Sequence, residues 1–259
     1  MPDSTKPRRG ARRRSDIPKR VLHRLNRGEL EAITLAEALA IDFAKLMAAV
    51  APDVSRTAVT ALRLAAEAGV TRRMALAGHH LHEHFGPAAY PRFARHRSDT
   101  VRGWSAFLLA VTPHLTLSER LHLVRPLAND RNAGVREWAW LSMRPLVAAD
   151  LVHAIDLLEP WTVSGSPFLR RFASEITRPR GVWCAHLAPL KREPALGRPL
   201  LEPLRADPHR YVQDSVGNWL NDAAKSQPKW VRETCTRWLA ESPTPATQRI
   251  CRRAQRSLS

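Results

Sequence analysis

Apolar residues recur at helical spacing along most of the chain, and the segments they define are short. After Pro52, helical segments of roughly ten to twenty residues follow one another. Few stretches alternate apolar and polar residues as half-buried strands do. The pattern predicts an all-α protein, either a solenoid or a bundle. The breaks between helices are expected at Gly69, 86–87, Pro113, 129–134, 160–167, 194–199, 207–208, Pro228 and 243–245.

A weak repeat favours the solenoid. Four short motifs each follow a break and open a helix, at spacings of 34, 34 and 43 residues. They are Val101–Trp104, Val135–Trp138, Leu169–Phe172 and Val212–Ser215. These spacings fall in or near the range of two-helix repeats such as HEAT. We therefore predict an all-α, HEAT-like repeat α-solenoid.

The repeat predicts which side chains share a face. With the first residue of each motif as offset zero, offsets 0, 3, 4 and 7 form the expected core stripe, and offsets 2, 6 and 10 form a second stripe. Glu137, Glu175 and Asp222 occupy offsets 2, 6 and 10 of their repeats. If neighbouring repeats stack in parallel and each helix continues that far, the three carboxylates point into one groove.

The two ends of the pattern set the expected domain boundary. Residues 1–15 are too polar, charged and proline-rich to fold alone, so we predict a disordered basic tail. Contact with phosphates and simple solvation both remain open for this tail. Residues 16–259 are expected to form one helical repeat domain. Its first helix should open at Asp16 and Pro18, with Asp16 as the cap, and end near Gly28.

Charge narrows the class of partner. Lysine and arginine number 41 against 24 acidic residues, which leaves a formal net charge of +17. The partner is therefore expected to be a polyanion, and nucleic acid fits better than membrane because no long uncharged apolar run occurs. The alternative is a generic basic surface. Cys184, Cys235 and Cys251 are odd in number and far apart, which favours reduced thiols in a cytoplasmic protein.

The densest cluster of candidate chemistry lies at residues 168–183. Glu175 and Trp183 stand there among four arginines: Arg170, Arg171, Arg178 and Arg180. One interpretation is an ordinary salt-bridged helix, because Arg171 precedes the acid by four residues and Arg178 follows it by three. In the other, the arginines hold phosphates and Glu175 meets a cationic group on the ligand.

Electrostatics makes the second interpretation specific. A carboxylate against DNA repels a phosphate by about 1 kcal/mol at about 4 Å in water, and by about 4 kcal/mol at intermediate dielectric. A base alkylated on a ring nitrogen supplies compensating positive charge, as does the oxocarbenium-like sugar that forms when its glycosidic bond breaks. Carboxylates that stabilise this charge or position water would lower the barrier without a metal.

Four further candidates have competing interpretations. Trp183 lies off the regular helix, where its indole could stack on a base, whereas Trp138 occupies a core offset. Asn218 shares a face with Asp222, which suits hydrogen bonds to a sugar or base edge, or to each other. In the histidine-rich run 79–84, a two-histidine metal site competes with a solvated basic helix, and we predict no metal because no second ligand cluster is evident.

Three blocks resemble a known family. They are REWAW (136–140), RRFASEITRPRGVW (170–183) and YVQDSVGNWLNDAAKSQPKW (211–230), and residues 25–47 are also similar. The chain resembles the DNA alkylation repair glycosylases of the AlkC/AlkD superfamily, especially the AlkC-like branch, from roughly Ile17 to the C-terminus. Two departures stand out: no room remains for an immunoglobulin-like domain after the last helices, and Trp219 replaces the histidine or asparagine of many members.

The resemblance implies a concave basic face that grips duplex DNA, and a cofactor-free, metal-free monofunctional glycosylase that excises bases such as 3-methyladenine. It implies active-site roles for Glu137, Glu175, Asp222 and Trp183. The remaining expected contacts to DNA or lesion are Arg170, Arg171, Arg178, Arg180, Asn218 and Trp138.

We therefore expect a monomeric enzyme of the bacterial cytoplasm, associated with the nucleoid, that hydrolyses the N-glycosidic bond of alkylated purines and leaves an abasic site. Alkylated pyrimidines remain open as substrates. One alternative is a non-catalytic HEAT-repeat protein that binds branched or bent DNA. Another is a protein-binding scaffold, whose groove should be apolar or acidic rather than rich in arginine.

Overall fold

The computed structural model describes residues 8–258 of the 259-residue chain. Every regular element in that range is helical, with sixteen α-helices, five short 3₁₀ segments and no strand. None of these described helices has both the length and the apolar character needed to cross a bilayer. The α-helices are α1 (Lys19–Leu25), α2 (Leu35–Ala40), α3 (Phe43–Val50), α4 (Arg56–Leu64), α5 (Val70–Phe85), α6 (Tyr90–Ala94), α7 (Asp99–Val111), α8 (Leu117–Ala128), α9 (Ala133–Ala149), α10 (Leu151–Leu158), α11 (Pro167–Ile176), α12 (Ala188–Arg192), α13 (Arg198–Leu201), α14 (Arg210–Ala224), α15 (Pro228–Glu241) and α16 (Pro245–Ala254). The 3₁₀ segments are Arg14–Asp16, Pro87–Ala89, Glu159–Val163, Pro194–Gly197 and Glu202–Leu204.

The chain divides into two compact units. The N-terminal unit extends to His114 and includes Arg131–Trp138. The C-terminal unit comprises Leu115–Asp130 and the chain from Ala139 onward. The prediction of a single helical domain after residue 15 therefore stays a prediction, and each unit is described by itself.

In the N-terminal unit, α5 packs closely against α7. Gly78 makes this approach possible, because a Cβ added there would lie 2.5 Å from the Phe107 Cβ and 2.7 Å from the Leu108 backbone nitrogen. Trp104 is fully buried in α7 and meets the Phe43 ring edge-on, with centroids 5.3 Å apart. Large apolar side chains thus fill this core around a tight helix pair.

In the C-terminal unit, α14 is the helix around which the others pack. It contacts α11, α15 and α16. Trp219 of α14 is fully buried, and a Cβ on Gly197 would lie 2.5 Å from its indole. The residues that the sequence pattern assigned to the core of this unit are therefore close-packed, and α14 presents its other faces to α11 and α16.

The predicted repeat register is confirmed. Each motif begins at the third residue of its helix, in α7, α9, α11 and α14. All sixteen residues at offsets 0, 3, 4 and 7 are buried, and none is more than 4% exposed. This burial follows from the helical period, which brings these four offsets to one face.

A second regularity was not predicted. The side chain at offset 1 of every repeat donates to a backbone carbonyl five or six residues earlier, in the break before the helix. These bonds are Arg102 to His96 at 2.8 Å, Arg136 to Arg131 at 3.0 Å, Arg170 to Ser164 at 2.8 Å and Gln213 to Asp207 at 2.8 Å. The side chain at offset 1 therefore links each helix to the segment that precedes it, because it donates to a carbonyl that lies outside the helix and accepts no helical hydrogen bond.

The N-terminus differs from the prediction. Residues 1–7 of the expected tail lie outside the described residues, but Arg8 makes an ion pair with the buried Glu37 carboxylate at 2.5 Å. The Ala11 backbone N–H donates to the same carboxylate at 3.0 Å. A buried carboxylate requires such donors, so the described part of the tail contacts the helical region, while the boundary at residue 16 stays a prediction. The predicted cap is wrong, because Asp16 ends a 3₁₀ turn and α1 begins after Pro18.

Candidate active site

The candidate site is built on the end of α11. Pro167 occupies the first turn, and the Ser166 hydroxyl accepts a hydrogen bond from the Phe168 backbone N–H at 3.2 Å. The helix ends at Ile176, where Thr177 turns its hydroxyl back to the Ala173 carbonyl at 3.1 Å. These start and stop signals place Glu175 in the last turn, directly before an arginine-rich loop.

Glu175 is a buried carboxylate with three polar neighbours. It is 4% exposed, and its two oxygens accept from Arg178 Nη1 at 2.8 Å and from the Ser215 hydroxyl at 2.7 Å. Arg171 Nη2 lies 3.5 Å from the second oxygen. Burial raises the pKa of Glu175, but the charges of Arg171 and Arg178 and the Ser215 bond outweigh it, so the pKa is lowered overall. Glu175 is therefore ionised at neutral pH.

Asp222 meets the same guanidinium from α14. It is 4% exposed, and its Oδ2 lies 2.9 Å from both Nε and Nη2 of Arg178. Burial raises the pKa of Asp222 and prevails over Arg178, and the negative charge of Glu175 adds to the rise. The two acids therefore have pKa values moved in opposite directions, which is common where two carboxyl groups divide acid–base roles.

Arg178 joins the two carboxylates. Its side chain is 13% exposed and binds Glu175 through Nη1 and Asp222 through the other edge of the fork. Burial lowers the pKa of Arg178, but the two carboxylates outweigh it and the pKa is raised. The planar guanidinium fixes the relative orientation of both acids.

The other three arginines of this cluster also have partners within the protein. Arg171 stacks over the Tyr211 ring, with Cζ 4.3 Å from the centroid. Arg170 pairs with Asp207 at 2.6 Å. Arg180 donates to the Asp222 carbonyl at 3.3 Å and, through Nη2, to the Ser226 hydroxyl at 2.8 Å. The salt-bridged interpretation of Arg171 and Arg178 with Glu175 is thus confirmed as geometry.

Trp183 lies on the loop that follows Arg178. Its indole is 48% exposed, and its φ of 61° is in the left-handed region that a bulky residue rarely adopts. Val182 beside it is 56% exposed. The loop therefore presents an apolar surface to solvent, as a residue that stacks on a ligand requires.

The remaining predicted residues fall in different places. Asn218 accepts a bond from Arg253 Nε at 2.9 Å on the α16 side of α14. Trp138 is 4% exposed in the core of the N-terminal unit, where a Cβ on Gly103 would meet its ring at 2.6 Å, so its burial is at odds with a direct lesion contact. Glu137 is half-buried in the same unit, and its contact with the lesion stays a prediction.

A model of the family described as DNA alkylation repair enzyme matches residues 106–253. The chain belongs to this family. The matched range includes Glu137, Glu175 and Asp222, and therefore all three predicted acids.

Two solved structures have a fold similar to that of the present chain. Pseudomonas fluorescens alkylpurine DNA glycosylase AlkC, bound to DNA containing an abasic site analog, is 27% identical with a TM-score of 0.65. The match covers 83% of this chain and 60% of that one. The smu.31 structure from Streptococcus mutans UA159 is 19% identical with a TM-score of 0.62, over 80% of this chain and 98% of that one, which is a likeness of fold alone. The predicted HEAT-like all-α fold is confirmed.

A curated relative is similar over a shorter stretch. The uncharacterized protein YhaZ of Bacillus subtilis (strain 168) is 35% identical over 117 residues, which is 45% of this chain and 32% of YhaZ. The chain thus spans about a third of YhaZ and 60% of the AlkC chain.

The histidine-rich run 79–84 of the present chain lies on α5. His79 Nε2 and His80 Nδ1 lie 3.2 and 3.0 Å from the Glu83 carboxylate. Within residues 8–258 there is no group of three or more histidine, cysteine, aspartate or glutamate side chains that could hold a metal ion.

Two residues of the site were missed by sequence reasoning. Ser215 occupies core offset 3 and nevertheless donates to Glu175 at 2.7 Å, while Ser174 donates to Ser215 at 2.8 Å. The sequence offered one signal for Ser215: it is a serine at a core offset, whereas the other three core offsets of its repeat are apolar. Arg144 of α9 lies 2% exposed beneath the Trp183 loop, and its position in sequence gives no indication of this.

Proposed function

We propose that the chain is a DNA glycosylase that hydrolyses the N-glycosidic bond of cationic alkylated bases in duplex DNA and leaves an abasic site. The observation that supports this most is the pair of buried carboxylates, Glu175 and Asp222, joined by one guanidinium in a member of the DNA alkylation repair family. Substrates of the 3-methyladenine type are proposed first and alkylated pyrimidines second. The similarity to an alkylpurine DNA glycosylase supports this order.

The charges of the site suit a cationic lesion. The lowered pKa of Glu175 keeps it ionised at neutral pH. A carboxylate about 4 Å from a unit positive charge contributes about 4 kcal/mol at the effective dielectric of a protein surface. If that interaction strengthens only as the sugar becomes oxocarbenium-like, it corresponds to a rate increase of roughly a thousandfold. Glu175 therefore acts on the sugar cation in this proposal.

Asp222 and Glu137 have different roles. Base strength rises with pKa, so the raised pKa of Asp222 strengthens it as an acceptor of a proton from the attacking water, and we assign it that role. Glu137 holds the lesion or the water, a role supported by its repeat offset and the family resemblance. The exposed indole of Trp183 stacks on the lesion, where a cationic base gains a cation–π interaction. No metal or cofactor takes part.

The arginines divide between phosphate contact and structure. Arg171 and Arg180 are half-buried and adjoin the two acids, so we assign phosphate contact to them first. Arg178 holds the carboxylates. Arg170 is bound by Asp207 and by the Ser164 carbonyl, so any phosphate must compete with these bonds. The net charge of +17 supports binding to duplex DNA by a monomer.

The test compares base release from randomly methylated duplex DNA by the wild type, Glu175→Gln and Asp222→Asn. Released bases are identified by mass spectrometry, and binding to abasic DNA is measured in parallel. Wild type should release 3-methyladenine, and each variant should lose about a thousandfold in rate with little change in binding. Glu233→Gln on α15 is the matched control, because that side chain is 63% exposed. Unchanged release in both variants would refute the assignment.

One observation favours a second function. Both carboxylates already accept hydrogen bonds from Arg178, and Glu175 also accepts from Ser215, as in a purely structural network. The chain would then be a non-catalytic HEAT-repeat protein that binds branched or bent DNA. Firm, salt-sensitive DNA binding without base release from any methylated substrate would establish this function instead.

A further inference from the structure

A buried arginine lies beneath the Trp183 loop, and within residues 8–258 its hydrogen bonds go to backbone carbonyls rather than to a carboxylate. Arg144 of α9 donates through Nη1 to the Ile176 carbonyl at 2.6 Å, and through Nη2 to the Arg178 carbonyl at 2.7 Å. Its Nε and Nη2 lie 3.2 and 3.1 Å from the Ala185 carbonyl. Burial lowers the pKa of Arg144 and outweighs the nearby acids, yet a guanidinium stays protonated in proteins. Its donors are therefore directed at backbone alone.

These three carbonyls lie on both sides of the exposed tryptophan. Ile176 is the last residue of α11, so its carbonyl has no partner within the helix. Arg178 and Ala185 lie before and after Trp183 on the loop. The Arg144 guanidinium thus holds three points of the backbone: the end of α11, Arg178, whose side chain bridges the two acids, and Ala185 on the far side of the Trp183 loop.

The loop lies tightly against this guanidinium. A Cβ added to Gly181 would lie 2.3 Å from Cys184 Sγ and 3.2 Å from Arg144 Cζ. The Leu187 N–H donates to the Pro179 carbonyl at 3.0 Å and closes the base of the loop. A larger residue at position 181 must therefore displace the Cys184 side chain and press on the guanidinium.

The backbone at Trp183 needs such support. A non-glycine residue in the left-handed region is disfavoured, and it persists only where its surroundings determine the conformation. Trp183 itself is 48% exposed. The hydrogen bonds of Arg144 and the close approach of Gly181 to its guanidinium hold the backbone of Trp183 in this conformation.

We infer that Arg144 is a positioning residue, which sets the Trp183 indole and the Arg178 backbone for engagement of the alkylated base. This inference rests on the proposed glycosylase function for its effect on excision, but the placement of Trp183 can be tested without activity. At 2% exposure, Arg144 cannot itself meet a phosphate, so its contribution must pass through the loop.

The direct test is ¹⁹F NMR of protein labelled with 5-fluorotryptophan, in which Trp183→Phe assigns one of the eight tryptophan resonances. Arg144→Met and Gly181→Ala should each shift or broaden the Trp183 resonance. Arg120→Met removes another buried guanidinium, on α8, and should leave that resonance unchanged. An unperturbed Trp183 resonance in a folded Arg144→Met protein would overturn the inference. If that variant does not fold, Gly181→Ala decides in its place.

The functional test is a double-mutant cycle on single-turnover excision. Arg144→Met and Trp183→Ala should each reduce the rate by about ten- to a hundredfold, and the double variant should be no slower than the slower single variant. Independent, multiplicative losses would show that Arg144 does not act through Trp183. Absence of excision by the wild type would refute the proposed function, and the NMR result would still decide the inference.

Discussion

Replacing Arg178 with glutamine should reveal how strongly one guanidinium holds the two carboxylates together. The substitution removes two charge-assisted hydrogen bonds, of 2.8 Å to Glu175 and 2.9 Å to Asp222, and a further 2.9 Å ion-pair contact with Asp222. Both acids are 4% exposed, so each would be left as a poorly compensated buried charge. Removing one partner of a buried ion pair destabilises a protein by about 3–5 kcal/mol, and we expect that loss at neutral pH.

The loss should depend on pH, with a defined sign. In the wild type the pKa of Glu175 is lowered, so its stabilising contribution is present above the unfolded-state pKa and is lost as pH falls through the folded-state pKa. Arg178→Gln removes a positive charge beside both carboxyl groups and therefore raises the pKa of each relative to the wild type. Burial then dominates at Asp222, whereas Arg171 and Ser215 still oppose it at Glu175. The folded variant then binds more protons than its unfolded state, and its stability falls as pH rises. The destabilisation should therefore be larger at pH 8 than at pH 5.

Urea unfolding followed by circular dichroism at pH 5 and pH 8 measures both effects. Arg232→Gln on α15 is the matched control, because Arg232 is exposed and its one hydrogen bond within the described part of the chain is a 3.5 Å contact with the Leu258 carbonyl. It should change the free energy of unfolding by less than about 0.5 kcal/mol at either pH. A destabilisation by Arg178→Gln that is equal at the two pH values would refute the assignment of two ionisable partners to this guanidinium.

Two further predictions concern the neighbours of this pair. Ser215→Ala removes a hydrogen bond that lowers the pKa of Glu175, so the acidic limb of the excision pH profile should move to higher pH. The control is Ser142→Ala, because Ser142 is a buried serine at another core offset and donates to the Ala139 carbonyl. It should leave the pH profile unchanged. Arg170→Met should destabilise the protein by about 3 kcal/mol, because the buried pair with Asp207 is lost, and should leave the salt dependence of DNA binding unchanged. Arg180→Met should instead reduce the slope of log affinity against log salt concentration by about one. A reduced slope in Arg170→Met would support the phosphate contact predicted for Arg170.

The alternation of helices and breaks could be predicted because its signals are local. Pro167, Pro228 and Pro245 begin helices, and Gly86 follows the end of α5. The cap at Asp16 was predicted by the same kind of rule and was wrong. Local rules rank candidate caps, but the contacts of neighbouring segments select among them.

The arginines show where local pattern stops being informative. Arg170 and Arg178 both flank Glu175 and look alike in sequence. Arg178 binds Glu175 and Asp222, whereas Arg170 turns back to Asp207 and the preceding break. Offset 1 was a usable signal for Arg170, because the same position also donates to an upstream carbonyl in the other three repeats.

The sequence by itself determined the helices, the repeat register with its sixteen buried positions, and the prediction of Glu175 and Asp222 as site residues. These depend on the helical period and on residue type, which act over a few neighbouring positions. Only the tertiary structure decided that Ser215 meets Glu175, that Arg178 also binds Asp222, and that Arg144 holds the Trp183 loop. These partners lie up to 44 residues apart, and which side chains meet at that separation depends on helix packing rather than on any local period.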